Sequence, residues 1–368
     1  MKNTFGNAVA VTLYGESHGP VVGAILDGMA PGIPVDADFL AGQMALRQSL
    51  AALSTDRREA DKVEILSGVY QGKTTGTPIC LQIANTNTRS GDYSSLADIP
   101  RPGHADYTGR VKYHGFADPH GGGHFSGRLT AGLVAAGAIA ISALRAKGIV
   151  IGTHIAACAG IADRAFADLA ADLSALAEMP FAVLDTKAAD AMQSAIAEAR
   201  AAGDSVGGVL ETAVIGLPAG VGEPWFDTME SVLSHGLFSI PAVKGVEFGD
   251  GFALAAMRGS VANDPFAMDG DRVVTTTNRA GGILGGISNG MPVRIRCAIK
   301  PTPSIYTRQK TVDLTTSTNT DLTIAGRHDP AIVHRARVVV DSMVALTLCD
   351  LLAQRYGTDW LSPNEEDA

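Results

Sequence analysis

Two segments of this chain are strongly apolar, and the first is so unbroken that it can only be a buried helix. The first, AGLVAAGAIAISAL from Ala131 to Leu144, predicts a core helix starting at about Ser126. It ends near Ala146-Lys147-Gly148, where glycine supplies a C-terminal stop. The second predicts a long helix from about Ile332 to Arg355. A shorter helix is predicted over Pro34 to Gln48, capped by Asp36 or Asp38, with Phe39, Leu40, Met44 and Leu46 as its apolar positions. Thr228 to Leu237 predicts another, and the alanine-rich residues 160–202 are helical in pattern, with a scaffold or interface role.

Strands are predicted at residues 8–14, at VVGAILDG from Val21, and at Val150 to Ala157 and Val206 to Ile215. Val63 to Val69 and Ile79 to Ala84 read as a pair joined by QGKTTGTP. Val293, Ile295, Cys297 and Ile299 alternate with Arg294, Arg296, Ala298 and Lys300, the period of a half-buried strand. Strands and helices do not alternate regularly, and no G-x-G-x-x-G joins a strand to a helix. Both a doubly wound sheet and a Rossmann nucleotide site are therefore excluded.

Composition changes the picture in three places. At 368 residues and 46% hydrophobic, the chain buries a large core in one or two domains. A formal charge of −9 opposes nucleic-acid or anionic-membrane binding, though a local arginine cluster still accommodates a small anion. Cys80, Cys158, Cys297 and Cys349 are scattered without a C-x-x-C pair, so neither a zinc site nor a disulfide scaffold is expected. The start MKNTFGNAVAV has no apolar leader, and the longest apolar run is short for a membrane span. The expectation is a reduced, soluble, cytoplasmic protein.

The chemistry concentrates between Arg101 and Ala131, RPGHADYTGRVKYHGFADPHGGGHFSGRLTA. Histidines and arginines surround a triple glycine there, directly before the first core helix. Free N–H groups and the dipole at a helix start favour an anion, and Ser126, Thr130 and Arg128 add donors. The competing reading is a glycine-rich surface loop that happens to hold histidines. Gly15-Glu16-Ser17-His18-Gly19 matches the G-x-S-x-G of a hydrolase elbow, but Pro20 and a β-branched run follow where that motif needs a helix. A serine hydrolase is therefore the third reading. His18, Arg47, Arg101, His104, Ser126, Arg128, Arg327 and Asp329 together suit elimination or transfer on a phosphorylated acid. Arginine forks hold several anionic groups, histidines deliver protons, and an aspartate beside arginine stays ionised as a base.

GESHG, RPGHAD, GGGHFSGRLTA, AVKGVEFGDG, AGGILGGISNG, KPTPS and GRHDP occur in this order over about Phe5 to Leu352. In this the chain resembles the chorismate synthase family. The resemblance implies an α+β fold, two antiparallel sheets sandwiching helices in a single large domain of residues 1–354, with an acidic, flexible tail at 355–368. It implies an anti-1,4-elimination of phosphate from 5-enolpyruvylshikimate 3-phosphate, giving chorismate, with reduced FMN required. By the resemblance, His18 protonates the departing phosphate, His104 acts near the flavin, and Asp329 assists proton removal through the flavin N5. Arg47, Arg101, Arg128 and Arg327 hold anions of substrate or cofactor. FMN contacts fall to His124, Phe125 and Ser126, to Pro241, Ala242 and Gly285, to Lys300, Pro301, Thr302, Pro303 and Ser304, and to Arg327. The family is usually tetrameric, so a homotetramer is expected. Reduction of the flavin is expected from an external reductase, with NADPH as an indirect source of electrons.

The chain departs from the family at one loop. Many members carry R-R-x-x-G-x-x-R after the first helix. Here Arg47 is followed by Gln48-Ser49-Leu50-Ala51-Ala52, and Ala52 stands where the last arginine would fall. Arg57 or Arg58 offers compensation. His124-Phe125 also stands where some relatives have Arg-Ser. The altered loop keeps a second reading open, a flavin- or anion-binding paralogue without turnover.

Overall fold

A computed structural model describes residues 2–48, 50, 53, 61–86, 98–324 and 328–363. Both apolar segments form helices, Thr130–Ala146 and Val333–Tyr356, and nearly every residue between their ends is buried. They pack on each other and lie between two five-stranded antiparallel sheets. The first sheet runs in the order Thr4–Phe5, Ala10–Gly15, Val21–Asp27, Ile79–Ala84, Val63–Ser67 and packs on the first core helix. The second runs Val243–Phe248, Val293–Ile299, Gly208–Ile215, Val150–Cys158, Ile161–Ala162 and packs on the second core helix. The result is the expected sandwich of helices between antiparallel sheets. The stretch Gly127–Ala146, this helix with the turn before it, is apolar and long enough to cross a membrane by composition, but it is the centre of this core and largely buried.

Small residues let these layers approach. A Cβ on Gly137 would lie 2.2 Å from the Ser342 Cβ, and one on Gly132 would lie 2.6 Å from the Gly23 backbone. The last helix also anchors the chain's beginning. Asp350 is fully buried, and its carboxylate accepts from the backbone N–H groups of Asn7, Ala8 and Val9 at 2.7–3.1 Å.

Several boundaries shift for local reasons. The first short helix spans Ala37–Leu46, because Asp36 takes the cap by accepting from Asp38 N and Phe39 N. The first core helix begins at Thr130 and not at Ser126, since Gly127–Leu129 wind as a tighter 3₁₀ turn capped by Ser126. Residues 160–202 divide into helices Leu169–Ala177 and Thr186–Ala201, each with its own aspartate cap, Asp168 and Asp185. Leu173 and Leu176 pack with Ala213 of the second sheet, so the first of these helices covers that sheet. After the last helix, Thr358–Leu361 folds back with Leu361 buried and Trp360 stacked on Tyr356. Residues 364–368 of the predicted flexible tail lie outside the described residues.

Candidate active site

A cavity of about 750 Å³ opens beside the start of the first core helix. Its wall combines residues 103–105, 124–128, 238–243, 300–304 without Pro301, and 328–339 in part, with Arg47, Gln48, Asp61 and Thr130. Of the site residues predicted from sequence, His104, Asp329, Arg47, Arg128, His124, Phe125, Ser126, Pro241, Ala242, Lys300, Thr302, Pro303 and Ser304 line it. Four cations, Arg47, Arg128, Lys300 and Arg335, face it with two carboxylates, Asp61 and Asp329. An acidic chain thus concentrates positive charge at one concave site, an arrangement that draws in anions.

The two arginines are tied to an aspartate that no sequence motif singled out, Asp61. Asp61 pairs with Arg128 through one oxygen and with Arg47 Nη2 at 3.0 Å through the other. All three side chains are nearly inaccessible. Burial alone would raise the Asp61 carboxyl, but the charges and hydrogen bonds of Arg47 and Arg128 outweigh it and hold it below its ordinary value. Burial lowers the Arg47 guanidinium to about 10 against the pull of Asp61, with Arg335 and Arg128 adding to the lowering. It remains a cation at neutral pH. Arg47 also donates to Thr130 Oγ1 at 3.2 Å, which ties the end of one helix to the start of another. Beside Arg47, Arg335 Nε donates to the Arg47 carbonyl at 2.8 Å and Arg335 Nη1 pairs with Asp329 at 2.5 Å. Nothing in the sequence pattern singled out Arg335, which reads as part of a helix start.

The glycine run sets the histidines. Gly121, Gly122 and Gly123 all take positive φ, and Gly123 O accepts from Ser17 N at 3.1 Å. A Cβ on Gly122 would lie 3.2 Å from His104 Cε1. On the Gly121 side lies His18, which does not line the cavity. His124 Nδ1 donates to Gly15 O at 2.9 Å, leaving Nε2 as its available nitrogen. Gly15 ends one strand and Val21 begins the next, so GESHG is a strand–turn–strand and not a hydrolase elbow.

Besides His18, three predicted residues do not line the cavity. Arg101 is buried behind the wall, where its guanidinium grips Asp106 with two contacts of 2.7 Å and reaches Ser304 Oγ at 3.3 Å. Gly285 occupies the turn of a small hairpin, Ile283–Leu284 with Ile287–Ser288, away from the cavity wall. Pro301 is exposed and is not part of the cavity lining. Arg327, Ala52, Arg57 and Arg58 lie outside the described residues.

A sequence model described as chorismate synthase matches residues 9–353. A chorismate synthase of Dehalococcoides mccartyi is 47% identical over 354 residues, covering 95% of this chain and 96% of that protein. One from Thermococcus kodakarensis is 44% identical over 350 residues, covering 95% and 97%. One from Methanocella arvoryzae is 47% identical over 350 residues, covering 95% and 93%. Among solved structures, a crystal structure of chorismate synthase superposes with a TM-score of 0.74 at 27% identity, covering 98% of this chain and 95% of that one.

Proposed function

This chain belongs to the chorismate synthase family of lyases, and from that premise we propose that it eliminates phosphate from 5-enolpyruvylshikimate 3-phosphate to give chorismate, using reduced FMN. The observation that carries the reading is the cationic cavity, lined by His104, His124 and the Asp329–Arg335 pair. The substrate bears one phosphate and two carboxylates, and Arg47, Arg128, Lys300 and Arg335 suit such a polyanion.

The residues present fit a flavin. The cavity lies in the upper part of the range for small-molecule sites, as a site for two ligands requires. Thr302 lines it with a buried hydroxyl that has no hydrogen-bond partner among the described residues. Thr302, Pro303, Ser304, Lys300, Ala242 and Ser126 would hold the FMN. When bound, reduced FMN supplies the electron chemistry that lets phosphate leave without net redox change. The chain's own groups bind, orient and handle protons. The C–O bond to phosphate breaks with its electron pair, and the family resemblance assigns protonation of the departing group to His18, whose ring meets the glycine run at Gly121 and is not part of the cavity lining. His104 is assigned to a position next to the cofactor. Asp329, kept beside a cation, is assigned to removal of the C6 proton. Walls that exclude water strengthen each of these charges.

The finer reading extends to a homotetramer working in the cytoplasm, with flavin reduced externally at the ultimate expense of NADPH. Trp225, Phe226 and Phe252 are 82%, 90% and 85% exposed, apolar surface that an assembly would cover. Residues 1–354 form the catalytic unit on this reading.

The test is an anaerobic assay with photoreduced FMN and 5-enolpyruvylshikimate 3-phosphate. Chorismate and phosphate are expected in equal amounts, with neither formed under oxidised FMN. A protein that binds reduced FMN and forms no product is instead the binding paralogue, and the loop after Arg47 is then the first place to look.

A further inference from the structure

His104 faces the cavity with one ring nitrogen already engaged behind the wall. Its Nδ1 lies 2.6 Å from Asp106 Oδ1 and 3.0 Å from Arg101 Nη2. A guanidinium only donates and a carboxylate only accepts, so Nδ1 satisfies one neighbour at a time. A bare Nδ1 would press its lone pair against a carboxylate oxygen at 2.6 Å. The proton is therefore on Nδ1 and donated to Asp106, while Arg101 Nη2 donates to the same oxygen at 2.7 Å.

Asp106 is itself clamped. Oδ2 accepts from Arg101 Nε at 2.7 Å and from Arg101 N at 2.9 Å. Burial alone would raise its carboxyl, but the hydrogen bonds from Arg101 and His104 hold it far below the ordinary carboxylate range. Arg101 also donates to Ser304 Oγ at 3.3 Å, so the clamp spans two parts of the cavity wall. Neither Arg101 nor Asp106 lines the cavity.

We propose that Asp106 is a positioning residue for His104: with Arg101 it fixes the ring in the Nδ1–H tautomer and leaves Nε2 as the nitrogen that meets the ligands. A carboxylate behind a working imidazole sets both tautomer and orientation. The assignment of turnover to this site rests on the reaction proposed above. The tautomer does not.

Two measurements test it on the full-length protein. In ¹⁵N spectra of histidine-labelled protein without flavin, at a pH where the ring is neutral, His104 carries its proton on Nδ1. His104→Gln identifies the signals. In Asp106→Asn the amide becomes a donor toward Nδ1, so the proton moves to Nε2. With reduced FMN, kcat of that variant falls by about 10- to 100-fold, KM stays within about two-fold, and Asp106→Glu recovers part of the loss. A wild-type ring protonated on Nε2 overturns the proposal whether or not the variants fold. So does Asp106→Asn with an unchanged tautomer and wild-type kcat. A wild-type protein that makes no chorismate refutes the proposed reaction instead, and the ring-nitrogen spectra then decide the His104 tautomer alone.

Discussion

A Cβ built on Gly121 would fall 2.1 Å from the imidazole ring of His18. Gly121 also has φ +61, a region that side chains disfavour. Gly121→Ala therefore displaces His18. A displacement of about 1 Å at a reacting group costs on the order of 10²-fold in rate. We expect chorismate formation to fall to that extent with the far-ultraviolet circular dichroism unchanged. Wild-type turnover in this variant would remove His18 from the proton-handling role.

Asp61 separates two buried guanidinium groups that would otherwise repel each other. Asp61→Asn leaves both cations without their carboxylate, a change that costs about 3–5 kcal/mol when buried pairs are broken. The expected result is a lower melting temperature that inorganic phosphate partly restores, because an anion replaces the lost charge. Melting curves with and without phosphate check this. A melting temperature equal to wild type would show that the three charges are not coupled.

His334 gives the stability a pH dependence of known sign. Burial, assisted by the charges of Arg335 and Arg337 and opposed by Asp329, lowers its imidazole from 6.5 to about 4. Between those values the unfolded chain binds more protons than the folded one. Stability from this group is complete above 6.5 and lost as pH falls toward 4. The loss is at most about 3 kcal/mol. Urea titrations at pH 7 and pH 5 should show a smaller drop for His334→Gln than for wild type. Equal drops would assign the dependence to other groups.

Gly137 makes the contact between the two core helices close. Its missing side chain leaves room for Ser342, so Gly137→Ala forces the helices apart and costs about 1–3 kcal/mol by overpacking. Adding Ser342→Gly recovers part of that cost, because the two sites couple. Chemical denaturation of the single and double variants measures it. Strict additivity would mean that the helices adjust elsewhere.

Much of this architecture is legible in one dimension. Val293 to Ile299 alternates in sequence and alternates in burial, and the two strongly apolar helices are the two in the middle. Pro20 and the β-branched run after GESHG correctly exclude a nucleophile elbow. The pairing of the strands within each sheet was partly legible, since Val63–Ser67 and Ile79–Ala84 do lie together. The electrostatics was not. Asp61 meets Arg128 across 67 positions and Arg101 meets Ser304 across 203, contacts that only the closed fold creates. Arg101 and Arg128 look equivalent as sequence, yet one is clamped behind the wall and the other faces the cavity. Gly285 lies in a motif as glycine-rich as the cavity's own, and no local pattern tells a hairpin turn from a ligand contact.

The grip of Asp350 on Asn7, Ala8 and Val9 has a consequence in time. Ala8 and Asp350 are 342 positions apart. At translation rates of about 5–20 residues per second, roughly 20–70 s separate their synthesis. For that interval three backbone N–H groups at the entrance of the first sheet have only water or a chaperone to bond. The native partner of the Asn7–Val9 backbone is thus made only with the last core helix, long after the strands on either side of that turn.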